Sequence, residues 1–219
     1  MAVETNDKKL SELLKWVEEG NAQLPEFQRD WVWDDSQICK LIESITSGYP
    51  MGAAMFLANG GENIRFKCRK FVGVSDSVNA EPEYLVLDGQ QRLTTLFQVF
   101  KCKTPVYTRL DTKRDKTIRR YYYLDIKKCL NPEEDRLDAI ISISDKKIIT
   151  SEIGRKIELD LTTPDKEYEN MMFPLNIAFS EKELDEWRWG FEEFEKNNRY
   201  IFRDFMTKII RPILDYAMP

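Results

Sequence analysis

The sequence predicts an α+β fold: a small mixed sheet with surrounding helices, followed by a helical C-terminal part. Three observations predict it. Amphipathic helical stripes alternate with short apolar runs through the first hundred residues, those runs are punctuated by glycine, and aromatic and leucine side chains recur at helical spacing after residue 180.

Leu10, Leu13, Leu14 and Val17 share one stripe that stops at Gly20, which predicts a helix over residues 8–19. "LPEFQRDWVWDDSQ" reads as a proline-bearing aromatic loop. Asp34 or Asp35 can cap the next helix, striped by Ile38, Leu41, Ile42 and Ile45 and stopped at Gly48 ahead of Pro50. "MGAAMFLANG" and "EYLVLDG" fit buried strands, and "ENIRFKCRKFVGV" alternates as an edge strand or hairpin arm. Leu93, Leu96, Phe97 and Phe100 then set a helix over 90–101 that leaves directly from the DGQQ turn.

"PVYTRL" and "RYYYLDI" read as strands flanking a charged turn around Thr112 to Thr117. Asn131-Pro132, followed by Glu133 and Glu134, suits a helix start, while the β-branched "AIISISDKKIIT" fits either a helix or strands. Ser180 and Glu183 make a capping-box pattern ahead of Leu184, Trp187, Phe191 and Phe194. Pro212 predicts a kink in the last apolar segment, which runs on to Pro219 as expected of a piece of a longer protein.

Composition narrows the chemistry. The 219 residues hold enough apolar side chains for a substantial core. Histidine is absent, which removes the commonest general base, the usual zinc ligand and any Ser-His or Cys-His triad. Cys39, Cys68, Cys102 and Cys129 are too widely spaced for a metal knuckle and read as reduced, mostly buried thiols. Neither an export signal nor a membrane span is visible, so a cytoplasmic location is expected.

Net charge is -5, but unevenly spread. Residues 101–120 carry eight basic side chains against Asp111 and Asp115, and residues 181–195 carry seven acids against Lys182 and Arg188. Within the basic stretch Arg109, Lys113, Arg114 and Arg119 are interleaved with tyrosines, a pattern that suits DNA-backbone contact and equally a solvated hairpin.

The corner "LVLDGQQRLTTL" carries the most chemistry. A buried strand delivers the chain to Gly89, and a helix starts at once with its first N–H groups unpaired, an arrangement that attracts anions. Arg92 adds a planar fork for phosphate oxygens; Asp88 can hold Mg²⁺, orient water or cap the helix; Gln90 and Gln91 both donate and accept. Thr94 adds a hydroxyl one turn on. The same residues equally make a plain strand-turn-helix corner. In the aromatic loop, Gln28 and Arg29 sit beside Trp31 and Trp33, where Arg29 can meet a triphosphate or a DNA backbone and the indoles can stack a base or anchor the loop.

Together "LPEFQRDWVWDDSQICKLIESITSGYPMG" and "LVLDGQQRLTTL" resemble the two hallmark motifs of the N-terminal domain of GmrSD-type, modification-dependent (type IV) restriction endonucleases. The resemblance covers the first hundred residues well, with "YYYLDI" and "FPLNIAFS" matching more loosely. It implies a ParB/sulfiredoxin-like domain over residues 1–130 with its nucleotide at Asp88, Gly89, Gln90, Gln91 and Arg92, and a mostly helical extension over 131–219 that stops short of a nuclease domain. It further implies GTP, UTP or CTP with Mg²⁺ as ligands, hydrolysis that gates DNA recognition or cleavage, and modified phage DNA and a nuclease domain or subunit as partners. An HNH-type nuclease site needs histidine, so none exists within these 219 residues.

Overall fold

The computed structural model describes residues 6–60, 66–110, 113–151, 154–196 and 199–218, with the backbone alone at 113–115. In chain order the first half contains β1 (Lys8–Lys9), α1 (Leu10–Glu19), β2 (Ala22–Pro25), α2 (Asp35–Thr46), β3 (Met55–Ala58), β4 (Cys68–Arg69), β5 (Tyr84–Asp88) and α3 (Gln90–Phe100). The second contains β6 (Val106–Leu110), β7 (Lys113–Asp125), α4 (Ile126–Leu130), β8 (Ile140–Ser144), β9 (Ile148–Ser151), β10 (Lys156–Asp160), α5 (Pro164–Glu169), β11 (Met172–Pro174), α6 (Glu181–Phe194), α7 (Arg199–Phe205), α8 (Arg211–Leu214) and β12 (Ala217–Met218). The fold is α+β.

One sheet has the order β3-β5-β2-β4, with β2 and β5 parallel and the other pairs antiparallel. In a second four-stranded sheet, β7 carries β6 and β11 on one path and β8 as a further antiparallel partner, while β1 with β12 and β9 with β10 form two-stranded sheets. β7, from before residue 130, is thus hydrogen-bonded to β8 and β11, from after it. The larger core cluster runs from Leu10 to Met218 and packs both four-stranded sheets against the helices, and a smaller one gathers Tyr123, Ile143, Leu161 and Met172. Leu10, Leu13, Leu14 and Val17 of α1 are at most 2% exposed, and each such side chain contributes about 1.5–3 kcal/mol relative to full exposure.

The helices follow their stripes. α1 ends at Gly20, whose φ of 78° supplies the left-handed cap. Of the two candidate caps on α2, Asp34 accepts from the Gln37 amide and completes a capping box. β5 is buried at Leu85 and Val86, as expected, but among the described residues β3 pairs only with β5 and leaves Met55 58% exposed, so it is an edge strand there. Of "ENIRFKCRKFVGV", residues 62–65 lie outside the described residues and Cys68–Arg69 alone forms a strand. Of the four thiols, Cys129 is buried and the other three are half-buried. Burial lifts Cys102 and Cys129 to about 11 and Cys39 to about 12, so all three stay protonated and unreactive near neutral pH.

Several local expectations are corrected. The charged turn is shorter than Thr112–Thr117, because β7 begins at Lys113 and a bulge between Arg109 and Leu110 takes up the register. Asn131-Pro132 starts no helix: Asn131 Oδ1 accepts from the Glu133 amide and Asp135 Oδ1 from that of Leu137, local turns that compete with helical bonding. The helix there is α4, which precedes Asn131 and is capped by Asp125. "AIISISDKKIIT" resolves into β8 and β9. Ser180 gives α6 no side-chain cap, and Glu183 pairs with Lys103 while keeping a side-chain hydrogen bond with Ser180. Near Pro212 the chain forms a π-helical turn over Met206–Ile210 and resumes as α8, which relieves the proline's clash with the preceding turn.

Candidate functional site

β5 ends at Asp88, and Gly89 turns the chain at φ 88° into α3. A Cβ at Gly89 would lie 3.1 Å from Ala54 Cβ and 3.3 Å from Ala54 Cα, so glycine is required by both the dihedral and the space. Gly89 is also the N-cap of α3 and gives it no side-chain cap. The backbone N–H groups at Gln90, Gln91 and Arg92 therefore have no intrahelical acceptor and carry the positive end of the helix dipole.

The polar side chains of the corner turn away from this helix start and hold two loops. Gln90 Nε2 donates to the Arg29 carbonyl at 2.8 Å. Gln91 behaves as a second backbone, donating to the Asp30 carbonyl at 3.0 Å and accepting from the Val32 amide at 3.1 Å. Arg92 donates to the Met51 and Ala53 carbonyls, each at 2.7 Å, with Gly52 (φ 79°) lying directly beneath its guanidinium. Asp88 stands 3.7 Å from the same guanidinium with 76% of its side chain exposed. Gln90, Gln91 and Arg92 thus form a clamp on residues 29–32 and 51–53.

Around this clamp the aromatic loop is fixed at several points. Gln28 Nε2 donates to the Val86 and Leu87 carbonyls, and its buried Oε1 has no partner. Arg69 reaches the Gln28 and Arg29 carbonyls, both at 3.0 Å. Trp31 Nε1 donates to Thr95 Oγ1 at 3.0 Å, and the Trp33 carbonyl accepts from Thr108 of β6 at 2.7 Å.

Over Gly89 opens a cavity of about 490 Å³ lined by Phe27, Gln28, Arg29, Trp33, Leu87, Asp88, Gly89, Gln90, Gln91 and Arg92. Its volume lies within the range of small-molecule sites. The structure therefore brings together Asp88, Gly89, Gln90, Gln91, Arg92, Gln28 and Arg29 as the sequence suggested. Thr94 is fully buried and bonds back to the Gln90 carbonyl, so it does not reach the cavity. Trp31 is packed against the core by its bond to Thr95 and likewise does not line it.

Phe27 and Leu87 are wall residues that the sequence left out of the site, and Trp33, one of the two indoles that could stack a base or anchor the loop, joins them on the wall. Phe27 is 69% exposed and meets Phe66 edge-on at 5.7 Å, a pair separated by residues that gave no sequence signal of contact. Arg29 is exposed and its side chain has no carboxylate partner among the described residues. Asp88 is the one carboxylate on the wall, and among the described residues no group of three His, Cys, Asp or Glu side chains gathers to hold a metal.

The basic candidates lie elsewhere. Arg109 and Arg119 are exposed on the β6–β7 pair, with Arg119 paired to Asp145. The side chains of Lys113 and Arg114 lie outside the described residues. Among the described residues no helix is long and apolar enough to cross a membrane.

The family model "GmrSD restriction endonuclease, N-terminal domain" matches residues 10–217, and the chain belongs to that family. An uncharacterized protein of Methanocaldococcus jannaschii is 28% identical over 226 aligned residues, which cover 100% of this chain and 36% of that protein. The chain therefore spans about a third of the length of the relative it matches.

Proposed function

We propose that this GmrSD N-terminal domain is the regulatory module of a restriction system that acts on modified phage DNA, and that it binds a nucleoside triphosphate in the cavity over Gly89. In this reading, nucleotide occupancy gates DNA recognition or cleavage by a nuclease domain or subunit outside these residues. The observation that carries it is the convergence on one cavity of uncapped α3 amides, an unpaired Arg29 and two aromatic walls, Phe27 and Trp33.

Each part has a chemical role. The α3 amides and Arg29 meet phosphate oxygens, since a helix start and a guanidinium fork both favour anions. Phe27 and Trp33 offer faces for a base. Asp88 is the side chain suited to Mg²⁺, which commonly takes one or two carboxylates and completes its shell with phosphates and water. When bound, Mg²⁺ would supply neutralisation of phosphate charge. Arg92 has two N–H groups engaged on Met51 and Ala53 and lines the cavity, so it adds its positive charge to the wall while it holds the loop.

Turnover is the finer half of the reading. Gln90 and Gln91 have their amide N–H groups directed at the loop, which leaves Asp88 as the group placed to orient an attacking water. The same engagement favours a second reading, a nucleotide held as a switch without hydrolysis.

Calorimetric titration with Mg-GTP, Mg-UTP and Mg-CTP, paired with phosphate-release assays, tests both. We expect saturable binding of at least one nucleotide, and loss of phosphate release in Asp88→Asn with the fold intact. Binding without release by the wild type would select the switch, and no binding of any of the three would refute the nucleotide site.

A further inference from the structure

We propose that the outer face of the β6–β7 ribbon is a contact surface for the phosphate backbone of duplex DNA, set beside the cavity so that occupancy of one bears on the other. The proposal rests on the nucleotide reading only for that coupling.

Over residues 113–119, β7 pairs with β6 alone among the described residues, because β8 begins its pairing at Arg120 and β11 at Tyr123. The result is a two-stranded ribbon. Its register places Tyr107 opposite Arg119 and Arg109 opposite Thr117, and all four share one face. That face is open to solvent: Tyr107 is 57% exposed, and Arg109, Thr117 and Arg119 are exposed. The opposite face is closed, with Val106 and Thr108 buried.

Charge selects the partner. Arg109 has no carboxylate partner among the described residues, whereas Arg119 is paired with Asp145. Two guanidiniums flanking an exposed tyrosine on one face of the ribbon suit phosphate oxygens along a duplex, where arginine, tyrosine and threonine side chains are among the groups that contact the backbone. An apolar protein partner would leave the Arg109 guanidinium to be desolvated without an acceptor.

Position supplies the coupling. Thr108 lies between Tyr107 and Arg109 and points the other way, donating its hydroxyl to the carbonyl of Trp33 at 2.7 Å. Trp33 is a wall of the cavity. One residue thus separates the DNA face from the nucleotide wall.

Fluorescence anisotropy with a labelled 30-base-pair duplex, over a salt series and with and without Mg-GTP, Mg-UTP or Mg-CTP, tests this. Arg109→Glu should weaken binding about tenfold near 0.1 M salt and lower the log–log salt slope by about one. Asp145→Asn frees Arg119 and should tighten binding about two- to fivefold, a gain that a surface elsewhere on the molecule would not give. Thr108→Val should leave DNA affinity without nucleotide unchanged and reduce the nucleotide effect on it. If Arg109→Glu and Asp145→Asn both bind as the wild type does while nucleotide still binds, the ribbon proposal fails and the nucleotide reading stands. If both variants shift affinity as stated but no nucleotide binds, the ribbon stands and the coupling and the nucleotide reading fall.

Discussion

Two places in this molecule concentrate polar side chains, and they are built oppositely. Around Glu167 of α5, which is 5% exposed, the carboxylate accepts from Tyr123 Oη at 3.0 Å and Trp187 Nε1 at 2.9 Å, with Lys147 Nζ 3.7 Å away. Lys147 in turn lies over the Tyr121 and Tyr123 rings. Every group there faces another protein group. At the DGQQR corner the side chains also bond to protein, but to loop carbonyls behind them, and the helix start with Arg29 is left facing open space. A polar cluster becomes a candidate site when some of its donors remain uncommitted, whatever the number of charges it contains.

That contrast can be broken by mutation. The largest effect should come from Glu167→Ala, which strands a phenol and an indole N–H in the interior, leaves the half-buried Lys147 without its carboxylate and should cost about 3–5 kcal/mol. Chemical denaturation measures it, and nucleotide binding by the folded fraction should be unchanged. A loss below about 1 kcal/mol would mean that the Glu167 centre is not structural. Burial raises the Glu167 pKa above its ordinary value, outweighing the lowering by Trp187, Lys147 and Tyr123. The folded state therefore takes up the proton before the unfolded state does, so this contribution to stability grows as pH falls through the folded pKa towards 4.5. The wild type should accordingly gain on Glu167→Gln as pH is lowered towards 4.5, and a flat difference would contradict the upward shift.

Arg92→Ala comes next. It removes two charge-assisted bonds that hold residues 51–53 and should cost about 2–3 kcal/mol. Arg92→Lys should recover less than half of this, because a single ammonium cannot span both carbonyls as a planar fork does. Full recovery by lysine would show that charge, rather than the clamp, is what the corner needs. Arg29→Ala should have the smallest effect on stability, within about 0.5 kcal/mol, since its side chain holds nothing. Nucleotide affinity in that variant should nevertheless fall about tenfold. Equal affinity in titration would remove Arg29 from the site.

Much of this was legible in the sequence, for local reasons. α1, α2 and α3 follow their apolar stripes, and Gly20 and Gly89 turn where the pattern breaks. The corner and the aromatic loop were visible because each concentrates unusual residue types. What escaped notice depended on partners distant in sequence. Thr94 looked like a ligand residue and is an interior hydroxyl, Phe27 carried no sequence signal of its role and stands on the cavity wall, and Glu183, expected to complete a box with Ser180, forms an ion pair with Lys103. The β-branched run after residue 139 could not be assigned alone, since a strand is made by its neighbour and β7 supplies that neighbour.

By itself, then, the chain determined its helices, its turns, the absence of histidine chemistry and the one corner where an anion site was worth seeking, because helical periodicity, glycine dihedrals and composition act within a few residues. Only the tertiary structure decided what Gln90, Gln91 and Arg92 do there. A side-chain amide or guanidinium can serve a ligand or a loop equally well, and the choice rests on which carbonyl the fold brings within 3 Å, here those of Arg29, Asp30, Met51 and Ala53.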